Sequence, residues 1–563
     1  MFIPTNFEEI KKIGWDQLDI ILVSGDTYID SPFIGVAIIG KVLLAKGYKV
    51  GIIAQPDLTN EKDIARLGEP SLFWGVTSGC VDSMVSNYTA SKKRRKQDDL
   101  TPGGLNNRRP DRALIVYSNL IQKYFRDTVP IVLGGIEASL RRITHYDCWG
   151  NKIRRSILLD AKADVLIYGM GEKAVLELAE KIKKKEEFRG IKGICYLSRG
   201  KKNGFLELPS FDEVREDKEK FVEMFKGFYD NNDSLTAKGL IQRYGDRYLV
   251  HNPPQMPLTV GELDWIYNLD YEREVHPYYK KEGDVRALET IRPSITSHRG
   301  CYGECNFCAI ALHQGRLVVS RSEESIIKEI EEITRHPAFN GIIYDVGGPT
   351  ANMYGIECQK KIKSGGCKDR RCLYPSICNN LKVDHSRQIR LLQRIRAIPK
   401  VKKAFIASGV RYDLLLKDKV AGEDYLRELV ANHISGQMKV APEHSEEHLL
   451  KLMGKPSKKY LCHFRELFIK MNKELGKKQF LTYYFMVAHP GSAIEDSIKL
   501  KNFSSKELRL RPEQVQIFTP TPSTFSTLMY WTGVDPFSGR KVFVEKEMGR
   551  KERQKRILAK GIK

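Results

Sequence analysis

Seven of the eleven cysteines in the chain lie between residues 301 and 378, and these side chains are the first candidates for chemistry. Three of them form the spacing Cys301-x3-Cys305-x2-Cys308. Clustered cysteines in a long chain indicate metal or redox chemistry, whereas disulfide frameworks are typical of short secreted chains. A structural zinc site needs four closed ligands and usually shows paired Cys-x2-Cys spacing, which this segment lacks. An iron–sulfur cube takes four cysteines, so three close thiolates would leave one iron open to a small molecule.

The other four cysteines of this region form a second group within 21 polar residues: Cys358, Cys367, Cys372 and Cys378. Buried structural cysteines normally sit in apolar runs, and reduced thiols in a polar loop favour a metal. The spacing does not fit a zinc ribbon. We therefore predict a second metal site, with an iron–sulfur cluster ahead of zinc. The alternative is that only some of these thiols are ligands.

The elements that position the cysteines follow from the hydrophobic pattern. Residues 1–205 alternate apolar strands with amphipathic helices, which predicts a doubly wound parallel α/β domain. Residues 206–285 are charged and carry several prolines, and they are interpreted as a connecting region. Residues 286–535 alternate again and predict a partial (β/α)6 barrel, which a cysteine-rich insertion interrupts at about 355–380. Residues 536–563 have little apolar periodicity and are interpreted as a basic tail.

The strands predicted in the two regions come from short apolar runs. In the first region they cover 18–24, 49–54, 71–76, 113–117, 130–133 and 164–168, and in the second 291–297, 341–346, 403–409, 436–441, 482–488 and 513–518. Cys301 follows the first strand of the barrel directly. Catalytic loops of such barrels lie at the carboxyl ends of the strands, so this position suits an active site.

The charge of the chain is strongly basic. Lys and Arg number 93 against 70 Asp and Glu, which makes the formal net charge +23. Basic residues cluster at 92–96, and residues 540–563 hold ten basic against three acidic side chains. Such clusters suit a phosphate backbone, so RNA is one partner that the charge favours. A solvated basic loop and tail is the plainer alternative.

The apolar runs of the chain do not predict export or membrane insertion. Glu8 and Glu9 stand where a signal peptide would need an apolar stretch. The longest apolar run, residues 34–45, is twelve residues long and contains Lys41, too short to cross a bilayer. We therefore expect a cytoplasmic protein with no membrane partner.

The spacing Cys-x3-Cys-x-aromatic-Cys after an Arg-Gly turn resembles the signature of radical S-adenosylmethionine (SAM) enzymes. The resemblance implies that the three cysteines ligate a [4Fe-4S] cluster and that SAM chelates its fourth iron. Gly347-Gly348-Pro349 is similar to the Gly-Gly-Glu motif that binds the SAM amine, although proline replaces the glutamate. The family's remaining cofactor-binding positions correspond here to Phe307, Ser408, Arg411, Lys439 and Glu443.

A narrower resemblance covers nearly the whole chain. The string DVGGPTANMYG, the downstream cysteines and the N-terminal α/β domain are similar to YgiQ-type radical SAM proteins. This implies reductive cleavage of SAM to a 5′-deoxyadenosyl radical, with electrons from a protein such as flavodoxin or ferredoxin. The substrate stays open. Residues 514–524 resemble the sixth strand of methylthiotransferases, which suggests RNA or protein modification. A small metabolite is the other substrate class, and a non-catalytic iron–sulfur or zinc-binding adaptor is a third hypothesis.

The N-terminal domain resembles the cobalamin-binding domains that precede the barrel in one class of radical SAM enzymes. The cobalt-ligating motif of those domains is Asp-x-His-x-x-Gly, and this chain has Asp26-Thr27-Tyr28 at a comparable place. Because tyrosine replaces histidine, lower axial ligation is lost. The sequence therefore does not favour cobalamin, and a structural or substrate-gating domain is preferred.

Overall fold

The computed structural model describes residues 1–559 and divides into two compact units. The first unit comprises Met1–Leu258 with Trp265–Arg292, and the second comprises Thr259–Asp264 with the chain from Pro293 onward. Each unit has its own strands and its own buried apolar cluster.

The first unit contains eleven strands, nine of which form one sheet. The strands are β1 (Ile20–Ser24), β2 (Val50–Ala54), β3 (Phe73–Thr77), β4 (Ile131–Gly134), β5 (His145–Asp147), β6 (Lys152–Arg154), β7 (Val165–Ile167), β8 (Ile194–Ser198), β9 (Leu206–Leu208), β10 (Leu240–Tyr244) and β11 (Arg247–His251). The order in the sheet is β2-β1-β3-β4-β7-β8-β11-β10-β9, and β5 pairs with β6 apart from it. In this order, the five strands from β2 to β7 are mutually parallel. Strand β8 pairs with β7 in antiparallel fashion, and β11 pairs with β8 in the same way.

The central strands are buried on both faces. All five residues of β1, with the sequence IILVS, are buried, which is typical of a parallel sheet that helices cover on both sides. The helices of this part of the chain are α1 (Phe7–Lys12), α2 (Gly35–Ala45), α3 (Lys62–Ala65), α4 (Ser83–Asn87), α5 (Ala113–Tyr124), α6 (Gly135–Leu140), α7 (Ile157–Asp160), α8 (Glu172–Lys183), α9 (Phe211–Glu216), α10 (Lys218–Asp230), α11 (Val260–Tyr267), α12 (Pro277–Lys280) and α13 (Ala287–Ile291).

Two predictions for this unit are wrong. Residues 113–117 form the first turns of helix α5 rather than a strand. Their apolar run suits either structure, but burial continues at Leu120 and Ile121, which completes a helical stripe. Residues 206–285 are also more than a connection, because β9, β10 and β11 extend the sheet of this unit. The charged residues of these strands, Glu207, Arg243 and Arg247, are exposed, and they interrupt the apolar runs.

The second unit alternates short strands with helices, and most of its strand pairs are parallel, whereas β13 and β14 form an antiparallel pair. Its strands are β12 (Ser294–Thr296), β13 (His298–Arg299), β14 (Val319–Ser320), β15 (Ile342–Ile343), β16 (Asp345–Gly347), β17 (Lys403–Ala404), β18 (Gln437–Glu443), β19 (Phe480–Val487) and β20 (Gln514–Ile517). Parallel pairs join β12 to β16, β15 to β17, β18 to β19 and β19 to β20. A hydrogen bond from Val410 N to Lys439 O links the chain that follows β17 to strand β18. The predicted fold class, a doubly wound α/β domain followed by a partial β/α barrel, is confirmed.

The helices of the second unit show the expected amphipathic pattern. Ser322 caps α15 by accepting a hydrogen bond from Ser325 N, and Ile326, Ile330 and Ile333 form its buried stripe. The helices are α14 (Ile310–His313), α15 (Glu323–Ile333), α16 (Gln359–Ser364), α17 (Ser386–Arg396), α18 (Tyr412–Lys417), α19 (Gly422–Glu428), α20 (Glu447–Met453), α21 (Lys458–Glu474), α22 (Ile494–Lys506), α23 (Phe525–Thr532) and α24 (Met548–Leu558). A π-helical turn, Leu429–His433, follows α19.

The basic C-terminal segment is ordered as far as the described residues extend, contrary to the prediction of a mere tail. Helix α24 buries Lys551, Gln554 and Leu558. The Gln554 side chain accepts hydrogen bonds from Ala488 N (2.9 Å) and Ser492 Oγ (3.1 Å). Two of the three buried side chains are polar, so hydropathy patterning could not detect this packed face.

Residues 1–559 include no helix with both the length and the apolar character that crossing a membrane requires.

Candidate functional site

The cysteine loop begins at a turn that only glycine can make. Cys301 follows β13, and Gly300 before it has φ +85°, a left-handed conformation that side chains rarely adopt. A Cβ at Gly300 would also lie 2.0 Å from Leu317 O. The Arg-Gly turn of the sequence motif is thus required by close backbone packing.

The thiols of Cys301 and Cys305 come together around Gly303. Gly303 N donates to Cys301 Sγ over 3.3 Å. A Cβ at Gly303 would lie 3.2 Å from Cys301 Sγ and 3.7 Å from Cys305 Sγ. Thr350 Oγ1 stands 3.8 Å from Cys301 Sγ, and Arg411 Nη1 stands 3.8 Å from Cys305 Sγ. The loop therefore turns two thiols toward one space that polar groups from other strands also face.

Cys308 is the third thiol of the loop. Burial raises its pKa to about 12, and the nearby Cys305 and Cys301 thiols add to the effect. Burial likewise raises the pKa of Cys301. Without a bound cation these thiols stay protonated at neutral pH, and a metal ion would displace the protons. Cys308 thus lies near enough to Cys305 and Cys301 for both to influence its pKa.

The three thiols are not arranged for a single zinc ion. Ligands of one zinc at a Zn–S distance of about 2.3 Å would stand about 3.8 Å apart. Among the residues that the structure describes, no three cysteine thiols lie within 4.8 Å of one another. Thiolates that bind different irons of one cluster stand wider apart, so the spacing suits an iron–sulfur cluster better than a zinc site.

The loop is held from both sides. Asn306 N donates to Met453 O (2.9 Å), and Ser526 N donates to Asn306 O (2.9 Å). Arg371 Nη1 donates to Asn306 Oδ1 (2.6 Å) and to Glu304 O (2.9 Å). These contacts fix the backbone between the second and third cysteines, which the spacing alone could not show.

Gly347 and Gly348 lie at the carboxyl end of β16, where two side chains crowd them. A Cβ at Gly347 would be 2.7 Å from Ser408 Oγ, and a Cβ at Gly348 would be 2.6 Å from the His298 ring. Pro349 follows them, half-buried and without a carboxylate. The backbone is therefore the only binding surface that this motif offers.

Ser408 already has a partner. Its hydroxyl donates to the Asp345 carboxylate, and Ser408 N donates to Asp345 Oδ1 over 3.1 Å. Sequence reasoning did not assign Asp345. Its position two residues before the Gly-Gly pair, at the start of the parallel strand β16, was the available signal.

Arg411 and Asp413 form a buried pair beside the cysteine loop. Arg411 Nε donates to Asp413 Oδ1 over 3.0 Å, and its side chain is 10% exposed. Asp413 thereby holds the guanidinium against Cys305. Of the family's cofactor-binding positions, Arg411 is the one with a hydrogen bond to a cysteine of the triplet.

Lys439 and Glu443 lie on the same face of β18, and the Glu443 side chain is only 12% exposed. Glu443 ends the strand with φ +70°, and its carboxylate lies 3.9 Å from Lys455 Nζ. Burial raises the pKa of Glu443 to about 7, against the opposing effect of Lys455. A carboxyl with this pKa can hold or release a proton near neutral pH.

Phe307 points its ring at His489, with centroids 6.4 Å apart in an edge-on arrangement. His489 follows β19, and its Nε2 lies 2.7 Å from Ser526 Oγ. His444, which follows β18, is fully buried. Burial lowers the pKa of His444 to about 3 and that of His489 to about 4, so both imidazoles are neutral at pH 7. Sequence reasoning assigned neither histidine, although each stands directly after a barrel strand.

The second cysteine group is partly assembled. Cys358, Cys372 and Cys378 join one apolar cluster with Tyr302 from the cysteine loop, whereas Cys367 lies outside that cluster.

The first unit has a crevice where a doubly wound sheet normally binds its ligand, between the carboxyl ends of β1 and β3. The fully buried Arg109 side chain occupies it. Its Nε donates to Gly25 O (3.0 Å), and its Nη2 pairs with Asp26 Oδ1 (2.5 Å) and Asp98 Oδ2 (3.1 Å). Thr27 N also donates to Leu100 O. The segment that follows β3 thus folds back and fills the crevice.

Tyr28, which replaces the histidine of the cobalt-ligating motif, is a core residue. Its ring stacks on His276 with centroids 5.6 Å apart, and its hydroxyl accepts a hydrogen bond from Ile3 N. Asp30 nearby pairs with Lys41 at 2.8 Å. This stretch therefore serves packing rather than metal ligation.

The fold and the cysteine loop together define a class of enzyme, and comparison with known proteins agrees. A family model described as "Radical SAM N-terminal" matches residues 2–294. The chain therefore belongs to the radical SAM family of enzymes, which implies a [4Fe-4S] cluster and SAM as cofactors.

Relatives identify its type within the family. A UPF0313 protein of Fusobacterium nucleatum is 58% identical over 558 residues, which cover 99% of this chain and 98% of that protein. A UPF0313 protein of Thermotoga petrophila is 50% identical over 551 residues, covering 97% and 96%. These matches confirm the predicted resemblance to YgiQ-type proteins.

Two solved structures share the fold. TsrM of Kitasatospora setae, described as a radical SAM methyltransferase, has a TM-score of 0.50 at 14% identity and covers 90% of this chain and 74% of its own. OxsB, described as a cobalamin-dependent SAM radical enzyme, has a TM-score of 0.51 at 11% identity and covers 91% and 55%. At such identities the likeness concerns architecture alone.

Proposed function

We propose that Cys301, Cys305 and Cys308 bind a [4Fe-4S] cluster and that this protein uses it to cleave SAM reductively. The observation that carries the proposal is the convergence of the thiols around Gly303, at the carboxyl ends of the barrel strands. When bound, the cluster supplies the electron that splits SAM into methionine and a 5′-deoxyadenosyl radical. A flavodoxin or ferredoxin is the class of partner that would deliver that electron.

The residues around the loop would bind and orient SAM and would not react with it. The backbone of Gly347 and Gly348 is free of Cβ atoms and can approach an amine closely. Phe307 offers an aromatic face or edge to an adenine beside His489. Arg411, held by Asp413, brings positive charge next to Cys305 and would stabilise an anionic cluster.

Glu443 and Lys439 are proposed to contact the polar parts of SAM from β18. A carboxyl whose pKa is about 7 can accept hydrogen bonds when ionised and donate one when protonated. Ser408 is a positioning residue in this proposal, because its hydroxyl is already donated to Asp345.

Anaerobic reconstitution tests the assignment. We expect single Cys→Ala changes at 301, 305 or 308 to abolish both the cluster absorbance and the formation of 5′-deoxyadenosine from SAM. Cys462→Ala, a thiol on α21 outside both cysteine groups, should leave both signals intact. Cluster binding and SAM cleavage that survive in all three variants would refute the proposal, and a full cluster without SAM cleavage would favour the adaptor hypothesis.

RNA is the substrate class that a specific observation favours. The solvent side of α24 carries exposed Arg553, Lys555 and Arg556, which could contact phosphates. If RNA binds there, tRNA should co-purify at low salt and be lost when these three positions are reversed to Glu. Reversal at the exposed Lys183 and Lys185 is the matched control. No co-purification at low salt would favour a small metabolite.

We also propose that the first unit does not hold cobalamin at its crevice, although TsrM and OxsB are described with that cofactor bound. The support comes from this chain's own residues: Arg109 and its acidic partners fill the crevice. No axial histidine stands at position 28. No step of the proposed reaction therefore passes through a corrin.

A further inference from the structure

The cysteine-rich insertion packs against the catalytic cysteine loop. Cys358, Cys372 and Cys378 form a cluster with Tyr302, and Cys301 packs at its edge. Cys358 and Cys378 are buried, at 4% and 7% exposure. Cys378 N donates to Cys372 O over 2.8 Å, which holds these two residues in one turn. Three cysteines that are far apart in a polar loop are thus folded inward together.

A buried cation lies beside one of these thiols and partly opposes the burial that raises the pKa of Cys372 to about 11. Lys361 is 5% exposed, and its ammonium lies 3.6 Å from Cys372 Sγ and 3.5 Å from Glu304 Oε1. Glu304 also pairs with Arg316 at 3.2 Å, so two cations share this carboxylate. A buried ammonium next to a thiol lowers the cost of forming the thiolate. A cysteine-ligated cluster would supply negative charge at this position.

The separations between the thiols bear on whether the group would bind one metal ion or a cluster. Across residues 1–559 the only set of three candidate ligand atoms within 4.8 Å is Glu446, His448 and Asp496, on the surface near Lys499. No three thiols of the second cysteine group therefore approach one another to the roughly 3.8 Å that separates the sulfur ligands of one tetrahedral zinc ion. Thiolates on separate irons tolerate wider separations.

We infer that Cys358, Cys367, Cys372 and Cys378 ligate a second iron–sulfur cluster of the [4Fe-4S] type. Four cysteines match the ligand number of such a cluster. Cys367 is half-exposed, lies outside the apolar cluster and follows the glycine pair after α16, and we assign it as the fourth ligand on ligand number. This inference goes beyond the proposed SAM cleavage, which needs only the first three cysteines.

Iron and sulfide counting on anaerobically reconstituted full-length protein tests the inference. We expect the triple variant C301A/C305A/C308A to keep about half of the wild-type iron and sulfide, with a cluster absorbance of its own. The complementary variant C358A/C372A/C378A should also lose about half, while it still binds the first cluster. Cys462→Ala is the matched control and should keep the full amount.

Substitution of the buried cysteines can lower the iron content through misfolding alone. Cys367→Ala is a milder test, because this thiol is half-exposed and lies outside the apolar cluster. We expect it to lower the iron content of the C301A/C305A/C308A background, with an unchanged circular dichroism spectrum. A C301A/C305A/C308A protein that is folded yet holds no iron, or that holds zinc in place of iron and sulfide, would overturn the inference. Neither result would contradict the assignment of the first cluster, because that assignment is tested separately by SAM cleavage in the wild-type protein.

Discussion

At the scale of single residues, Gly303 controls how closely the first two thiols of the cysteine loop can approach. A Cβ there would press on Cys301 Sγ and, at 3.2 Å, on Arg411 Nη1. We expect Gly303→Ala to reduce iron incorporation several-fold, because both thiols and the guanidinium must move apart. Iron per chain after reconstitution is the measurement.

The matched control for this prediction is Gly409→Ala. Gly409 also follows a barrel strand segment, but a Cβ there meets nothing within 4 Å. Equal loss of iron in both variants would show that crowding at Gly303 is not the cause.

Glu443 makes stability depend on pH. Its pKa rises from 4.5 to about 7 on folding because the carboxyl is buried. Between those values the folded chain holds a proton that the unfolded chain has released, so this group destabilises the fold increasingly as pH rises toward 7. We expect the free energy of unfolding of Glu443→Gln, relative to that of wild type, to increase by about 2–3 kcal/mol as the pH rises from 4.5 to 8.

Urea unfolding of the metal-free chain at the two pH values measures this gain. A flat difference between wild type and Glu443→Gln across the range would contradict the raised pKa.

At the scale of elements, helix α24 completes the second unit through one polar side chain. Gln554 is fully buried and accepts hydrogen bonds from Ala488 N and Ser492 Oγ. Gln554→Ala would leave Ala488 N without its partner, and we expect a loss of about 1–3 kcal/mol. Thermal and urea unfolding followed by circular dichroism test it.

The neighbouring exposed Arg553 supplies the control on the same helix. We expect Arg553→Ala to change stability by less than about 0.5 kcal/mol. If Gln554→Ala is equally mild, the C-terminal helix does not contribute to the unit in the way its hydrogen bonds indicate.

At the scale of the whole molecule, the chain shares its fold with TsrM and OxsB, and its own residues occupy the space between the carboxyl ends of β1 and β3. Arg109, Asp26 and Asp98 form a buried ionic network where a ligand of a doubly wound sheet would sit. We expect wild-type protein incubated with hydroxocobalamin to elute from gel filtration without corrin absorbance. TsrM treated in parallel is the positive control, and stoichiometric co-elution with this chain would contradict the prediction.

The elements that sequence predicted best are those with a strong local pattern. Fully apolar strands such as β1, and helices with a clear stripe such as α15, lie close to their predicted bounds. The pattern failed where burial is polar or ambiguous. Gln554 and Lys551 face inward on α24, and residues 113–117 are apolar enough for either a strand or a helix.

The sequence by itself determined where the proposed chemistry lies: three cysteines at a fixed spacing after a strand define the cysteine loop, because thiol identity and local spacing are covalent properties of the chain. Only the tertiary structure decided what surrounds that loop. It brought Arg411, Thr350 and the second cysteine group to the loop, and it placed Arg109 in the crevice of the first unit. These contacts join residues far apart in the chain, so they depend on packing and strand order that local patterns do not contain.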